Sequence, residues 1–321
     1  MQCTEWYTRL QPRSFLRLQN AAEAACTAFV FAFTSIGVLF AQPPVDNVLE
    51  RMVPPGSTSL VGGRMDLIKQ TNLYRKMVAA QSLPQVDEFA RDTGFDPRRD
   101  VRELLFVETP HGSVLLARGT FHLNGAPLKD TQRTRHGEYE IRGKGSAGFC
   151  ILDSTLAVAG DIPAIEAALD EWKSGTHTAA RPLLARVASV NPHAQLWGIS
   201  TGLAGFLADH APGVASGLDL SKIFRGLEDT SFQVDLSTGL RAEVRGTTAN
   251  EKDAIGLRDM VRGIVGFGRL QVPENQPELL RVWDGVNAEQ QGRSITIHID
   301  IAQDLLDKLI QMLGSGPHRV A

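Results

Sequence analysis

The strongest catalytic motif in the sequence surrounds Ser200. Residues 198–202 read Gly-Ile-Ser-Thr-Gly, which matches the G-x-S-x-G elbow that raises a serine nucleophile between a strand and a helix. Asp284 and His298 follow Ser200 in the order acid, then base, so these three residues could form a hydrolase triad. However, no His-Gly-Gly-Gly segment for an oxyanion hole is present, and 30 glycines make chance matches common. We therefore favour a structural turn at Ser200 and keep a serine hydrolase as the alternative.

A glycine-rich motif at residues 143–148 matches G-x-G-x-x-G. A dinucleotide-binding site needs a helix directly after this motif, because the helix N-terminus receives the pyrophosphate. The residues that follow, 149–152, read Phe-Cys-Ile-Leu and favour a strand. The motif therefore predicts a bend between two strands, and we predict no cofactor.

The sequence gives little indication of a metal site or of a reactive cysteine. The eight histidines include no His-Glu-x-x-His, and none stands at metal-ligand spacing from a cysteine or carboxylate. We predict no metal site. Cys150 lies in an apolar run and is the one cysteine outside the N-terminal region, so we expect it to be a small buried side chain.

The length, hydrophobic content and net charge of the chain exclude some classes of protein. The chain has 321 residues, 43% of them hydrophobic, which is ample for a buried core and excludes a disordered chain. The net charge is -3, so there is no basic field for phosphate backbones, and we predict no nucleic acid partner.

The N-terminal residues 1–41 are typical of a targeting segment. Arg9, Arg13 and Arg17 precede the uncharged residues 24–41, as the charged and apolar regions of a signal peptide do. Cleavage after Ala41 would release a periplasmic or secreted protein. An uncleaved segment would be long enough to anchor the body to the inner membrane, and a buried helix of the fold is the third interpretation.

The remaining chain is predicted to contain two α+β repeats. We place a linker at 42–57, the first repeat at 58–175, a connector at 176–192, the second repeat at 193–313 and a tail at 314–321. Each repeat begins with a strand and a helix, continues through hairpins, and ends with a helix. The predicted strands are 59–65, 101–107, 113–121, two between 148 and 159, 195–200, 232–236, 240–246, 285–290 and 294–301, and the predicted helices begin at Asp66, Asp161, Gly202, Asn250 and after 301.

Short fragments of the two repeats also align. Residues 116–120 resemble 243–247, and 161–169 resemble 300–309, in the same order. Duplication with insertions explains such collinear matches. The isoleucines at 295, 297, 299 and 301 alternate with polar residues, which predicts a strand with one buried face. The fold class predicted is α+β, internally duplicated, with mostly antiparallel sheets and helices packed on one face.

Three segments resemble families of uncharacterised exported bacterial proteins that contain a tandem domain of unknown function. They are the strand opening Leu60-Val61-Gly62-Gly63, the stretch 94–100 before a strand, and residues 153–161 leading into the helix at 165–169. The resemblance covers most of the body. It implies the fold style and no activity or catalytic residue.

These observations leave three functional hypotheses. We favour an exported, non-enzymatic protein that binds a partner or has a structural role at the cell envelope. A serine hydrolase using Ser200, Asp284 and His298 is the first alternative. A carrier of an apolar ligand is the second, because an antiparallel sheet curved over helices can enclose an apolar pocket. The partner is thus an unknown protein or apolar ligand, with membrane attachment through the N-terminal segment as a further expectation.

Overall fold

The computed structural model describes residues 44–80, 87, 90, 96–121, 132–175, 182–201 and 226–314. Pro43–Ala321 form one compact unit. The predictions for the targeting segment 1–41, for the helix beginning at Gly202 and for the tail lie outside the described residues. The described chain combines helices with a single sheet, which confirms the α+β class.

The sheet has twelve described strands. In chain order they are β1 (Ser59–Arg64), β2 (Val101–Thr109), β3 (Gly112–Gly119), β4 (Gln132–His136), β5 (Tyr139–Lys144), β6 (Ala147–Asp153), β7 (Leu156–Asp161), β8 (Leu196–Ser200), β9 (Leu227–Asp235), β10 (Gly239–Thr248), β11 (Val286–Gln291) and β12 (Ser294–Ala302). Their order across the sheet is β11-β12-β10-β9-β8-β1-β2-β3-β7-β6-β5-β4. All neighbouring strands in this order are antiparallel.

The described helices are mostly short. They are α1 (Asn47–Glu50), α2 (Met65–Ile68), α3 (Asn72–Ala80), α4 (Pro97–Asp100), α5 (Ile162–Ser174), α6 (Pro182–Val187), α7 (Glu251–Leu270), a 3-10 turn (Pro277–Leu279), α8 (Leu280–Asp284) and α9 (Gln303–Gly314). Local signals explain the ends of the longer ones. The Asn250 side chain accepts a hydrogen bond from the Asp253 N–H and caps α7 as predicted. Gly175 ends α5 in the left-handed conformation that favours glycine.

The two predicted repeats meet at the centre of the sheet. Strand β1 pairs with β8, with Ser59 opposite Ser200 and Leu60 opposite Ile199. A strand from the first predicted repeat thus hydrogen-bonds directly to one from the second. The structure contains one continuous sheet in its described part rather than separate sheets.

The two apolar cores of this sheet lie on opposite faces. Paired residues of an antiparallel sheet project to the same face, and the register runs from Ile199 through Ser231 and Arg245 to Thr296. Ile199 therefore shares a face, here called the front, with Thr296. The isoleucines of β12 at 295, 297, 299 and 301 project to the opposite face, here called the back.

Each half has its apolar core on a different face. The front core joins Leu60 and Trp197 to Ile165 of α5, whereas the back core joins Ile295 to Leu257 of α7. The prediction of helices on one face is therefore not confirmed for the sheet as a whole. The sequence pattern indicates that one face of each strand is buried, and the pairing decides which face that is.

The segment predicted as a linker is part of the front core. Val45, Leu49 and Met52 are buried against it, and the Trp197 indole N–H donates to the Pro44 carbonyl at 3.0 Å. The linker prediction is therefore wrong for residues 44–57. The prolines of this segment are typical of linkers, and for that reason its buried apolar residues were not predicted.

Other local predictions need smaller corrections. The helix predicted from Asp66 is interrupted, because the Thr71 hydroxyl bonds to the Ile68 carbonyl and accepts from the Tyr74 N–H, which begins α3. The Asp161 carboxylate accepts from the Ser113 N–H at 2.8 Å rather than capping α5. Strand β4 was missed because its sequence, Gln-Arg-Thr-Arg-His, shows no apolar alternation. The glycine motif at 143–148 is the predicted bend, with Gly145 at φ 66° between β5 and β6.

Candidate functional site

Ser200 lies at the end of β8 and is only 3% exposed. Its hydroxyl shares a 2.7 Å hydrogen bond with the Ser59 hydroxyl on β1. The space beside the two serines has a volume of about 10 Å³, which is room for about one water molecule. Among the described residues, this hydroxyl is engaged in the pairing of the two central strands, and the space beside it is far smaller than a substrate.

The other two candidate catalytic residues lie elsewhere. His298 is on β12, three strands from β8, which corresponds to about 14 Å. It projects to the front face, since it pairs with Glu243, whereas Ser200 pairs with Thr230 and projects to the back face. Asp284 ends α8 and forms an ion pair with Arg269. The structure therefore does not bring Ser200, Asp284 and His298 together.

His298 instead belongs to a cleft on the front face of the second half. This cleft, here called the polar cleft, has a volume of about 270 Å³. It is lined by Asn191, Ala194, Gln233, Val234, Asp235, Arg241, Ala242, Glu243, His298, Ile299 and Asp300. Most of its polar side chains come from the front-facing positions of β9, β10 and β12, and the loop before β8 forms one wall.

Glu243 organises the centre of the polar cleft. Its Oε1 accepts from Gln233 Nε2 at 2.9 Å and lies 2.8 Å from Arg245 Nε, while its Oε2 lies 3.7 Å from His298 Nδ1. The carboxylate is mostly shielded, whereas the histidine ring is about half exposed. Such a network holds its groups in defined positions and can present hydrogen bonds to a polar ligand.

Asp235 is a second anchored carboxylate in the polar cleft. It accepts from the Ser237 N–H at 2.8 Å and from Gln195 Nε2 at 3.3 Å. Burial opposes its ionisation, but these hydrogen bonds prevail and hold the pKa of Asp235 below its usual value. The cleft thus carries fixed negative charge at neutral pH, next to the Arg241 guanidinium.

A second concavity lies on the back face of the first half. This concavity, here called the edge recess, has a volume of about 450 Å³ and is lined by Glu138, Tyr139, Glu140, Arg142, Phe149, Ile151 and Leu152. Phe149 and Ile151 form its apolar floor, and Arg142 is held by Glu140 at 2.8 Å at its rim. The volume lies in the range of small-molecule pockets.

The remaining reactive groups are buried or dispersed. Cys150 lies in the front core, where burial raises the pKa of its thiol to about 11, so it is inert as a nucleophile at neutral pH. Within the described ranges, no three histidine, cysteine or acidic side chains gather as metal ligands. None of the helices described is long and apolar enough to cross a bilayer.

The described residues form an α+β fold built on a twelve-stranded antiparallel sheet, and known proteins offer a match at the level of fold. No family model and no curated protein sequence matches it. Crystal form III of TP0453 is similar, with a TM-score of 0.51 and 9% identity over 84% of this chain and 98% of that chain. Crystal form I gives a TM-score of 0.46, with 9% identity over 84% and 97% of the two chains. The fold therefore resembles that of TP0453, and at this identity the likeness extends to the fold alone.

Sequence analysis identified one residue of the polar cleft, His298, and assigned it a different role. It missed Glu243 and Gln233. The signal available was the alternation of charged residues at 241, 243 and 245 within a predicted strand, which indicates that one face of β10 is polar. The contribution of β9 and of the loop around Asn191 depends on strand pairing, which local patterns do not contain.

Proposed function

We propose that this protein is an exported, non-enzymatic binding protein of the cell envelope that recognises its partner through the polar cleft. The observation that carries the proposal is the Glu243 network, in which charged and amide groups are held in place around a cavity of about 270 Å³. None of the described residues that line the cleft is a serine, cysteine or lysine. Its groups suit recognition of polar and charged groups rather than covalent catalysis.

An internal duplication is part of this proposal. Outward from the centre, one half runs β1-β2-β3-β7-β6 and the other runs β8-β9-β10-β12-β11. In both halves a helix follows the fourth strand of this series, α5 after β7 and α9 after β12. This common order supports two copies of one α+β unit, each with helices on one face of its own half and with β4 and β5 added to the first.

The export part of the proposal rests on residues 1–41, with their arginines and uncharged stretch. We expect the full-length protein to fractionate with membranes or to be shortened to a start at Gln42. Amino-terminal sequencing of fractionated cells tests this. Recovery of the intact chain from the cytoplasm, with its first residues retained, would contradict export.

Site-specific photo-crosslinking tests the polar cleft. A benzophenone amino acid in place of His298 in the full-length chain, expressed in its own cells, should give a discrete adduct. Asn287 is the matched control, because it pairs directly with His298 on β11 and faces the same side but does not line the cleft. We expect the His298 adduct to be lost on Glu243→Ala, which removes the centre of the network.

The outcomes distinguish the hypotheses for the polar cleft. Equal adducts at positions 287 and 298 would show general surface proximity and would contradict the proposal. The absence of adducts at both positions, with the protein present and exported, would also contradict it. An adduct at position 298 that still forms in the Glu243→Ala variant would show that the partner does not bind through the Glu243 network.

The edge recess supports a second candidate function, a carrier of an apolar ligand. Phe149 and Ile151 provide the apolar floor on which an apolar ligand would lie. Extraction of the purified protein followed by mass spectrometry should then recover a stoichiometric lipid, and Ile151→Asp should abolish its recovery. Ile255→Asp, at an exposed apolar position outside the recess, is the control. Protein free of lipid would contradict this function.

A further inference from the structure

The most exposed large apolar side chains of the described residues lie on one helix and its neighbour. On α7, Phe267 is 65% exposed, Leu270 is 83% exposed and Met260 is 39% exposed. Ile255 of α7 and Leu280 of α8 add smaller contributions. Isolated apolar side chains are common on protein surfaces, but a cluster of this kind marks an interaction surface.

The same helix exposes glycines that the single chain does not require. A methyl group built at Gly256 or Gly263 would meet open space. Neither glycine therefore permits a close approach within the chain, although each costs about 1 kcal/mol of helix stability relative to alanine. A close approach by another molecule would account for both.

These glycines and the exposed apolar residues form one stripe. Gly256, Met260, Gly263, Phe267 and Leu270 are separated by four, three, four and three residues. That spacing places them along one seam of a helix, as in the a and d positions of a coiled coil. Glycines and large side chains alternate along this seam from Gly256 to Phe267, and Leu270 follows as a second large side chain.

We propose that α7 is a dimerisation helix that packs antiparallel against α7 of a second copy of this chain. A two-fold axis between residues 261 and 262 places Met260 on Gly263 of the second copy. The same axis places Phe267 on Gly256 of the second copy. Met260 and Phe267 then each occupy the space above a glycine, so this part of the stripe is complementary to itself, as an isologous interface requires.

The available area fits a weak, reversible dimer. The exposed apolar side chains of the stripe, with Leu280 of the neighbouring α8, present about 450 Å² per copy, so the pair would bury about 900 Å². This is near the lower limit for specific association. The antiparallel arrangement also places the N-terminus of each helix beside the C-terminus of the other, which is favourable for their dipoles.

Cysteine crosslinking in the full-length chain tests the predicted geometry. Asp259 and Lys252 are exposed and lie on the same side of the stripe. In the proposed dimer the two copies of residue 259 are offset by about 8 Å along the helices, and those of residue 252 by about 28 Å. With Cys3 and Cys26 replaced by serine, a short bismaleimide should link Asp259→Cys dimers and should leave Lys252→Cys monomeric.

Matched glycine variants test the packing of the stripe. Gly263→Met fills the space that receives Met260 and should lower the yield of the residue 259 crosslink about tenfold. Gly266→Met also adds a side chain in open space on the same helix, but outside the stripe, and should leave the yield unchanged. The exchange Met260→Gly with Gly263→Met restores a large residue opposite each glycine and should restore the yield.

Several outcomes would overturn the dimer. These are equal crosslinking at residues 252 and 259, no crosslinking at either, equal effects of Gly263→Met and Gly266→Met, or failure of the exchange to restore the yield. Flotation with vesicles of phosphatidylethanolamine and phosphatidylglycerol tests whether the stripe binds a membrane instead of a second copy. Loss of flotation on Phe267→Ser, without any crosslink at residue 259, would assign the stripe to a lipid surface.

Discussion

Replacing Gly62 with alanine should destabilise the centre of the sheet, where β1 pairs with β8. Gly62 lies opposite Trp197 in this pairing, and a Cβ atom at position 62 would overlap the indole ring. The ring is fully buried and its N–H donates to the Pro44 carbonyl at 3.0 Å. It therefore has no space into which it can move.

The expected cost follows from these contacts. Overpacking of a buried side chain costs about 1–3 kcal/mol. Displacing the ring also weakens its hydrogen bond to Pro44, which contributes about 1 kcal/mol. We therefore expect Gly62→Ala to lower the free energy of unfolding by about 2–4 kcal/mol.

Urea denaturation followed by far-UV circular dichroism measures this loss. Gly63→Ala is the matched control, because it changes the next residue of the same strand and its new methyl group would lie 3.8 Å from Leu196 Cδ1, an ordinary contact. We expect Gly63→Ala to change the free energy of unfolding by less than about 0.5 kcal/mol.

A double-mutant cycle separates the clash from other effects. Trp197→Leu removes the ring, so Gly62→Ala should cost much less in that background, with a coupling energy of at least about 1 kcal/mol. Equal stability of Gly62→Ala and Gly63→Ala, or additive effects in the cycle, would refute the contact between the ring and the glycine.

Three further substitutions test a buried carboxyl group, a helix cap and the central serine pair. Burial raises the pKa of Glu103 to about 7, although the Asp46 N–H donates to its carboxylate. Because only the unfolded chain releases this proton between pH 4.5 and about 7, stability should fall across that range by about 1–2 kcal/mol, and Glu103→Gln should abolish the fall in urea titrations. Asn250→Ala should lower the free energy of unfolding by about 1 kcal/mol, whereas Asn250→Asp should retain it, as thermal melts would show. Ser200→Ala should cost about 1–2 kcal/mol because it leaves the Ser59 hydroxyl buried without its partner, and the double replacement should cost less. A fluorophosphonate should not label the purified protein, and labelling that Ser200→Ala removes would contradict our view of this residue.

The local elements were largely predictable. The cap at Asn250, the end of α5 at Gly175 and the bend at Gly145 each depend on a few neighbouring residues and on backbone preferences that belong to those residue types. Strands with clear alternation, such as β12, were predicted within a residue or two of their ends. Strand β4 was not, because both of its faces are polar.

The candidate site was less predictable. Ser200 matches a catalytic motif, yet its hydroxyl partner is Ser59, 141 residues away along the chain. His298 shares a network with Glu243 and Gln233 from two other strands. The order of strands in the sheet determines which of these residues become neighbours. A motif of a few consecutive residues does not predict that order.

By itself the sequence determined the α+β class and the type and approximate limits of most helices and strands. Helix and strand propensities, helix caps and the spacing of apolar residues each depend on only a few neighbouring residues. Only the tertiary structure decided that β1 and β8 join both halves into one sheet, and that the halves are buried on opposite faces. Alternation shows that a strand has an apolar side, but the pairing partner determines where that side points. The polar cleft and the exposed stripe on α7 exist because of that choice of faces, which arises from contacts between residues far apart in the chain.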